Sequence, residues 1–358
     1  MTNYLLNMEL LPAINQKLRS TEKAWKLFQI VSWFGGLVLL SLLFFIPDIA
    51  LNIFWNILIP LAPLIFVVIP GTWRNICPMA IANLLPRKYG FSAKQKLSTK
   101  TISVFNLIGL IALYLIVPLR HALFNDSGFA TGVLILCMVF IGITLSFFYE
   151  WKSAWCSGLC PIHPVEKLYG SNALISVSNA HCESCANCVV PCPDSTPNIH
   201  PLLVQKSSIQ KINGYLITGG FPGFVWGWFQ VPDGRSLNSL HNWIAVYLYP
   251  LSGLIISLSC FILIKQLISP LKEKQLIGTF AAISISTYYW FRIPALFGFS
   301  KFNSERPLIN LSDTVDQIWL TSIVWLLVFF FYYQLVIRKH RKKSWSVRPV
   351  FEKFPNTA

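Results

Sequence analysis

Four closely spaced cysteines form the pattern with the clearest chemical meaning in this sequence. They follow the spacing C-x2-C-x2-C-x3-C-P, from Cys182 through Cys185 and Cys188 to Cys192, which precedes Pro193. This spacing is typical of the thiolate ligands of a bacterial-type 4Fe–4S cluster. Structural zinc usually takes two short cysteine pairs separated by about a dozen or more residues. The run therefore predicts an iron–sulfur cluster rather than zinc, with these four cysteines as metal ligands.

Two further thiols, Cys156 and Cys160, form the pattern C-x3-C-P and are predicted to take part in cofactor binding. Several roles stay open for them. Cys160 could complete a cluster begun by the first three cysteines of the longer run, because in two-cluster ferredoxins the fourth cysteine ligates the other cluster. The pair could also bind a separate metal, act as a redox dithiol, or be structural thiols at a helix end. Cys77 is a single thiol before Pro78, and its role is open.

Other polar or reactive side chains give weaker indications. Cys137 and Cys260 lie within apolar runs, so core packing is their expected role. His121 lies near a presumed outer helix end, where an interfacial polar role is the default. Arg292 lies in or at the end of an apolar segment, where a functional charge and a side chain that reaches the membrane interface are equal alternatives.

The composition indicates a polytopic membrane protein. Of 358 residues, 54% are hydrophobic and only 12% are charged, whereas soluble domains average about 25% charged residues. Because hydrocarbon cannot satisfy exposed backbone groups, and no segment alternates like a barrel strand, helices are the expected form. Apolar segments near the length that spans a bilayer occur at 28–46, 53–69, 102–119, 129–149, 243–264, 276–291 and 318–337.

The positive charge indicates membrane orientation. The net charge is +15, but Lys and Arg lie mainly beside apolar segments, so a lipid bilayer and not nucleic acid is the expected partner. The positive-inside rule places 1–27, 70–100 and 150–212 in the cytoplasm. The basic run that begins at Arg338 belongs there too, which requires an eighth crossing through 213–230. The glycines and proline of that segment predict a broken or re-entrant helix.

These observations predict an all-α integral membrane protein with about seven or eight transmembrane helices and a small cytoplasmic ferredoxin-like iron–sulfur insert. The predicted organisation is a cytoplasmic N-terminal segment (1–27), four transmembrane helices (28–149) with a cytoplasmic Cys-Pro loop (70–100), a cytoplasmic iron–sulfur segment (150–212), a C-terminal transmembrane region (213–337) and a basic cytoplasmic tail (338–358). The cluster motif then lies on the cytoplasmic face.

Two predicted helical hairpins, 28–69 and 102–149, are each followed by a tryptophan and a Cys-Pro pair. The first loop reads W-R-N-I-C-P from Trp73, and the second reads W-C-S-G-L-C-P from Trp155. An internal duplication and chance similarity of two membrane-exit loops are equal alternatives.

With its several helices, its C-x3-C-P at a cytoplasmic helix end and its downstream C-x2-C-x2-C-x3-C-P, the chain resembles the membrane polyferredoxins of the NapH, NosR, MauN and CcoG type. Residues 71–78 and 150–193 carry the resemblance. It implies a bacterial inner membrane and electron transfer between a quinol or cytoplasmic donor and a redox partner protein. For the CcoG-like branch it implies maturation of a copper or haem oxidase. Many relatives carry two complete four-cysteine motifs and this chain has one, so a second cluster is open.

The expected function is the relay of single electrons by an integral-membrane 4Fe–4S protein to a membrane or periplasmic redox partner. An assembly factor for a copper or haem enzyme, with Cys156 and Cys160 as a metal-handling or redox pair, is the alternative. A transporter with a structural metal domain comes last, because intramembrane charges are few. The sequence contains no nucleotide-binding glycine loop, nucleophile triad or flavin fingerprint, so no catalytic residue is predicted and an electron-transfer subunit is favoured over a stand-alone enzyme.

Overall fold

Helices make up almost all of the regular structure. The computed structural model describes residues 2–150, 152–182, 192, 194–195, 202, 207–234, 239–268, 272–301, 307–339 and 344–347, with the backbone alone described for 2–22. The helices are α1 (Thr2–Phe45), α2 (Pro47–Asn52), α3 (Ile59–Val68), α4 (Pro70–Ile76), α5 (Pro78–Lys88), α6 (Thr99–Ile116), α7 (Gly128–Phe148), α8 (His163–Tyr169), α9 (Ser208–Tyr215), α10 (Phe221–Trp228), α11 (Leu240–Leu267), α12 (Glu273–Leu296) and α13 (Gln317–Tyr332). π-helical turns adjoin them at Ile53–Leu58, Lys152–Leu159, Leu216–Gly220 and Tyr333–Ile337, and the two-residue strands β1 (Val177–Ser178) and β2 (Ser346–Val347) pair in parallel.

Six helical stretches in the described part of the chain are long and apolar enough to cross a membrane. They are Lys23–Phe45, Pro47–Val68, Thr99–His121, Gly128–Phe148, Leu240–Leu267 and Gln317–Ile337. The prediction of a helical, multi-pass membrane protein is therefore confirmed. Large apolar side chains such as Phe140 and Leu267 are exposed on the outside of the bundle, which is compatible with a lipid bilayer. The predicted ferredoxin-like insert is not shown, since most of the four-cysteine run, including Cys185 and Cys188, lies outside the described residues.

Helix α12 is as long as these six but more polar, because much of its surface is buried within the bundle. It packs against α10 and α13. Ser284 is fully buried and lies 2.6 Å from the Tyr169 hydroxyl of α8. The Tyr289 hydroxyl donates to the Pro60 carbonyl at 2.6 Å. Internal hydrogen bonds thus satisfy polar groups that lipid could not, and α12 extends the short predicted segment 276–291 at both ends.

The glycine-rich segment 213–230 is not broken, contrary to the expectation from its composition. Helix α9, the π-turn Leu216–Gly220 and α10 form one helical run from Ser208 to Trp228. Pro222 lies at the start of α10, where its missing N–H costs little. A Cβ on Gly223 would overlap the Gly253 carbonyl oxygen of α11, so the glycines serve close helix packing instead of ending the helix.

The described residues 344–347 of the C-terminal tail lie against the end of the bundle that carries the Cys-Pro loops. Strand β2 pairs with β1, and the Ser346 N–H donates to the Asp194 carbonyl at 3.0 Å. The Trp345 ring is buried, and its Nε1 donates to the Gly170 carbonyl at 2.8 Å. A Cβ on Gly71 would overlap the Trp345 carbonyl oxygen, so the tail lies directly against α4.

Candidate functional site

Three thiols from two distant loops share one buried apolar cluster. Cys156 is buried, and Cys77 and Cys160 are partly buried and pack against it. The remaining members of the cluster are Ala80, Leu84, Trp155, Met79, Met138, Leu145 and Leu159. The structure therefore brings Cys77, which the sequence left without a role, into the company of the C-x3-C-P pair.

Two of these thiols lie at helix boundaries because each precedes a proline. A residue before proline is driven towards extended backbone, and Cys77 accordingly adopts φ −58° and ψ 117° between α4 and α5. Cys160 follows the π-turn Lys152–Leu159 and precedes Pro161 in the same way. A Cβ added to Gly109 of α6 would lie 2.7 Å from the Leu159 carbonyl oxygen. The second loop therefore packs directly against α6.

Burial keeps all three thiols protonated. It raises the pKa of Cys77 and Cys156, and it raises the pKa of Cys160 to about 11, although the nearby Arg74 guanidinium acts in the opposite direction on each. Reactive dithiols need a lowered pKa. The environment therefore disfavours a free redox dithiol, whereas a soft metal could still displace the protons.

A buried ion-pair network lies beside the thiols and is centred on Arg74 of α4. Arg74 Nε donates to Glu166 Oε1 and Nη2 approaches Oε2, each at 2.7 Å. Nη2 also donates to Nδ1 of His163 at 2.6 Å. Burial lowers the pKa of His163 to about 4, so this imidazole is neutral and can accept. The bidentate contact fixes the guanidinium next to the first Cys-Pro loop.

Asp194 joins the end of the four-cysteine run to both Cys-Pro loops. It lies two residues after Cys192 and accepts from Lys152 Nζ at 2.5 Å, while Arg74 Nη1 lies 3.7 Å away. Burial opposes ionisation of this carboxyl, but Lys152 and Arg74 outweigh it and lower its pKa. Lys152 precedes Cys156 by four residues. The ion pair between Lys152 and Asp194 therefore holds Cys192 near the second loop.

The start of the four-cysteine run is anchored on α4 as well. Asn75 Nδ2 donates to the Ser178 carbonyl at 2.8 Å, and its Oδ1 accepts from the Ala180 N–H at 3.1 Å. The Nε2 of His181 donates to the Arg74 carbonyl at 2.9 Å. Cys182 follows directly and is partly buried. Both ends of the run thus contact the loop that carries Cys77.

The described residues do not form a metal site by themselves: no group of three or more His, Cys, Asp or Glu side chains among them is arranged to hold a metal ion. The predicted ligands Cys185 and Cys188 lie outside the described residues. The chemistry of the surroundings nevertheless suits a thiolate cluster. Soft donors lie in an apolar shell, and Arg74 and Lys152 provide positive charge to offset anionic thiolates.

Sequence reasoning missed the charged partners of this site. It used the charges of 70–100 only as an orientation signal and did not single out Arg74, Lys152, Glu166 or Asp194. The available signal was position, because Arg74, Lys152 and Asp194 each lie within four residues of a candidate cysteine. Charged side chains this close to metal-binding thiols commonly form hydrogen bonds or ion pairs around the ligands of a metal site.

Two expectations about isolated residues change. Cys137 and Cys260 are exposed on the outside of the bundle, so the prediction of core packing was wrong for both. Their helices turn only one side inward, and the sequence did not show which. Arg292 is buried and donates to the Trp55 carbonyl at 2.7 Å, so internal partners hold its charge.

Comparison of the chain with protein-family models, curated proteins and solved structures finds no match in any of the three.

Proposed function

We propose that this chain is an integral-membrane 4Fe–4S protein that relays single electrons at the cytoplasmic face to a membrane or periplasmic redox partner. The supporting observation is the convergence of Cys77, Cys156 and Cys160 in one buried cluster. Both ends of the four-cysteine run contact the first Cys-Pro loop, and the end at Asp194 also contacts the second. A bound cluster would supply reversible one-electron storage at this end of the bundle.

Cys182, Cys185, Cys188 and Cys192 are the proposed cluster ligands, with Cys160 as an alternative fourth ligand and Cys156 beside it. The chain's own contribution is electrostatic. Arg74 and Lys152 stabilise negative charge on nearby thiolates, and the apolar shell limits water access. Both factors set the reduction potential of a thiolate-bound cluster.

The same proposal includes eight membrane crossings in a bacterial inner membrane. The run Ser208–Trp228 and α12 would add two crossings to the six apolar helices. Four crossings between Lys152 and Arg338 return the chain to its starting side. The contacts of Trp345 and Ser346 with the Cys-Pro end support this even number. The basic loops then place that end in the cytoplasm. Its partner there would be a redox protein, or a quinol that reaches it from the bilayer.

Metal content tests the proposal. Anaerobic purification of the full chain should give a brown protein with about four irons and acid-labile sulfide per chain for one cluster. Cys185→Ser should lose the iron and the EPR signal of the reduced protein. Cys260→Ser is the matched control, because that thiol is exposed and none of the thiol cluster's members lies on its helix α11, and it should keep both. Zinc without iron or sulfide in the wild type contradicts the proposal.

The assembly-factor alternative gains one observation: Cys77 supplies a third soft thiol beside Cys156 and Cys160, and Cu(I) prefers thiolate ligands. A Cys156→Ser/Cys160→Ser double variant separates the two functions. Under the alternative it loses Cu(I) retention while the iron content stays at the wild-type level. Loss of iron together with copper assigns the pair to the cluster instead.

A further inference from the structure

A second cluster of buried polar side chains lies at the other end of the bundle from the thiols. Helix α6 begins beside the residues that lead into the second Cys-Pro loop, and the short 3-10 helix that follows its other end, Pro118–His121, carries Arg120 and His121. These two residues meet Asp233 from the turn after α10 and Tyr288 from α12 around the ring of Trp228. None of the functions considered above uses this cluster.

The carboxylate of this cluster is already fully engaged. Asp233 accepts from Nδ1 of His121 through one oxygen and from Asn125 Nδ2 at 3.1 Å through the other. Arg120 Nη2 lies 3.9 Å from the second oxygen. Burial opposes its ionisation, but the hydrogen bond from His121 and the charge of Arg120 outweigh it and lower the pKa of Asp233. Asp233 is therefore ionised and is not the partner that the remaining donors need.

The Arg120 guanidinium has a donor left over. It lies between the rings of Trp55 and Trp228, 5.2 Å from the centre of each. Its Nη2 makes a weak contact with Asn125 Oδ1 at 3.5 Å. Its Nε is buried and has no hydrogen-bond partner among the described residues. Aromatic faces hold the cation in place but do not satisfy an N–H.

Tyr288 leaves its hydroxyl unsatisfied in the same place. Its ring stacks parallel to Trp228, with centroids 6.4 Å apart. The side chain is 8% exposed, and the hydroxyl has no hydrogen-bond partner within the described part of the chain. The hydroxyl lies within electrostatic range of both Arg120 and Arg292. Arg292 is itself held by the Trp55 carbonyl and Asn56 Oδ1.

We infer that this cluster is a binding site for a phosphate oxyanion. Arg120 Nε–H can only donate, and the Tyr288 hydroxyl, which lies within electrostatic range of two guanidinium groups, is best satisfied as a donor. Both therefore require an acceptor oxygen, and guanidinium groups favour an anionic one. The site lies where membrane-crossing helices end, which is the depth of lipid headgroups. A phospholipid headgroup and free inorganic phosphate offer the same chemistry.

Thermal unfolding of the delipidated full chain in neutral detergent tests the inference. Inorganic phosphate, or phosphatidylglycerol in mixed micelles, should raise the melting temperature at constant ionic strength, and acetate should not. Tyr288→Phe keeps the ring stack but should raise the half-saturating concentration of phosphate or lipid about tenfold. This is the effect of losing one hydrogen bond to a charged group. Arg120→Lys keeps the charge, removes Nε and should abolish the shift. Tyr249→Phe, at an exposed tyrosine, is the matched control.

The source of the phosphate ligand is identified by which of the two additions, lipid or inorganic phosphate, raises the melting temperature. A rise with phosphatidylglycerol alone identifies a headgroup site, and a rise with inorganic phosphate identifies a site for the free ion. Equal stabilisation by acetate overturns the assignment to phosphate. No rise with either phosphate source, or an unchanged response in Tyr288→Phe, overturns the site and leaves buried water as the partner of these donors.

Discussion

Lys152 donates to Asp194 at 2.5 Å across 42 residues, and both side chains are buried. Lys152 opens the second Cys-Pro loop, and Asp194 closes the four-cysteine run. Arg74 of the first loop lies on the other oxygen of the same carboxylate. One acidic side chain therefore holds together the three segments that carry the candidate thiols, without any metal.

This arrangement predicts that Asp194→Asn releases the cysteine run from the bundle. Removing one partner of a buried ion pair leaves an uncompensated charge and typically costs about 3–5 kcal/mol. We expect a lower melting temperature and faster maleimide labelling of Cys192 in the metal-free protein.

Asp313→Asn is the control for this substitution, because Asp313 is exposed. It should leave both the melting temperature and the labelling rate of Cys192 unchanged. Wild-type labelling of Cys192 in Asp194→Asn would show that the ion pair does not position the run.

A second prediction concerns the C-terminal tail. Trp345 is buried, donates to Gly170, and lies 5.3 Å from the Arg74 guanidinium and 4.7 Å from Lys167 Nζ. Trp345→Ala should cost about 3–5 kcal/mol, as large-to-small substitutions of aromatic side chains in cores do. Trp345→Phe should cost less, since it keeps a ring over both cations and loses the hydrogen bond. Limited proteolysis should cleave the tail slowest in the wild type, faster in Trp345→Phe and fastest in Trp345→Ala. Equal cleavage of all three would contradict tail docking.

Periodic and local features of this chain were readable from the sequence. Seven apolar segments predicted helices, and helical structure covers all of them except single residues at Ile46, Ile69, Val117 and Tyr149. The Cys-Pro pairs predicted boundaries, and Cys77 lies at one because proline restricts the residue before it. These features depend on neighbours in the chain, which a single sequence shows directly.

Long-range partnerships were not readable. Arg74 and Glu166 are 92 residues apart, and His121 and Asp233 are 112 apart. No local pattern indicates that such charges meet. The segment 213–230 was misread for the same reason, because its glycines allow close packing against distant parts of the chain, as Gly223 does against Gly253. Composition alone suggested a weak helix, whereas close packing against that helix stabilises it.

That packing gives a third prediction. Gly223→Ala should destabilise the bundle, because the added Cβ would overlap the backbone carbonyl of Gly253 and neither helix backbone can yield cheaply. Overpacking of this kind costs about 1–3 kcal/mol. Gly35→Ala is the matched control, because no heavy atom lies within 4 Å of the added Cβ. Alanine should even stabilise α1 there by up to about 1 kcal/mol. Unfolding in mixed detergent micelles should therefore shift in opposite directions for the two variants.

The last prediction is a pH dependence at the other end of the bundle. His121 and Arg120 outweigh burial and lower the pKa of Asp233 in the folded chain. In the unfolded chain this carboxyl should titrate near about pH 4. A lowered folded pKa means that the unfolded state binds more protons, so the stabilisation is complete above about pH 4 and is lost as the pH falls below it. Asp233→Asn should remove this contribution.

The difference in unfolding free energy between wild type and Asp233→Asn should thus be largest near neutral pH and shrink in acid. A difference that grows steadily from neutrality to about pH 3 would mean that Asp233 is protonated in the folded chain, with its pKa raised by burial.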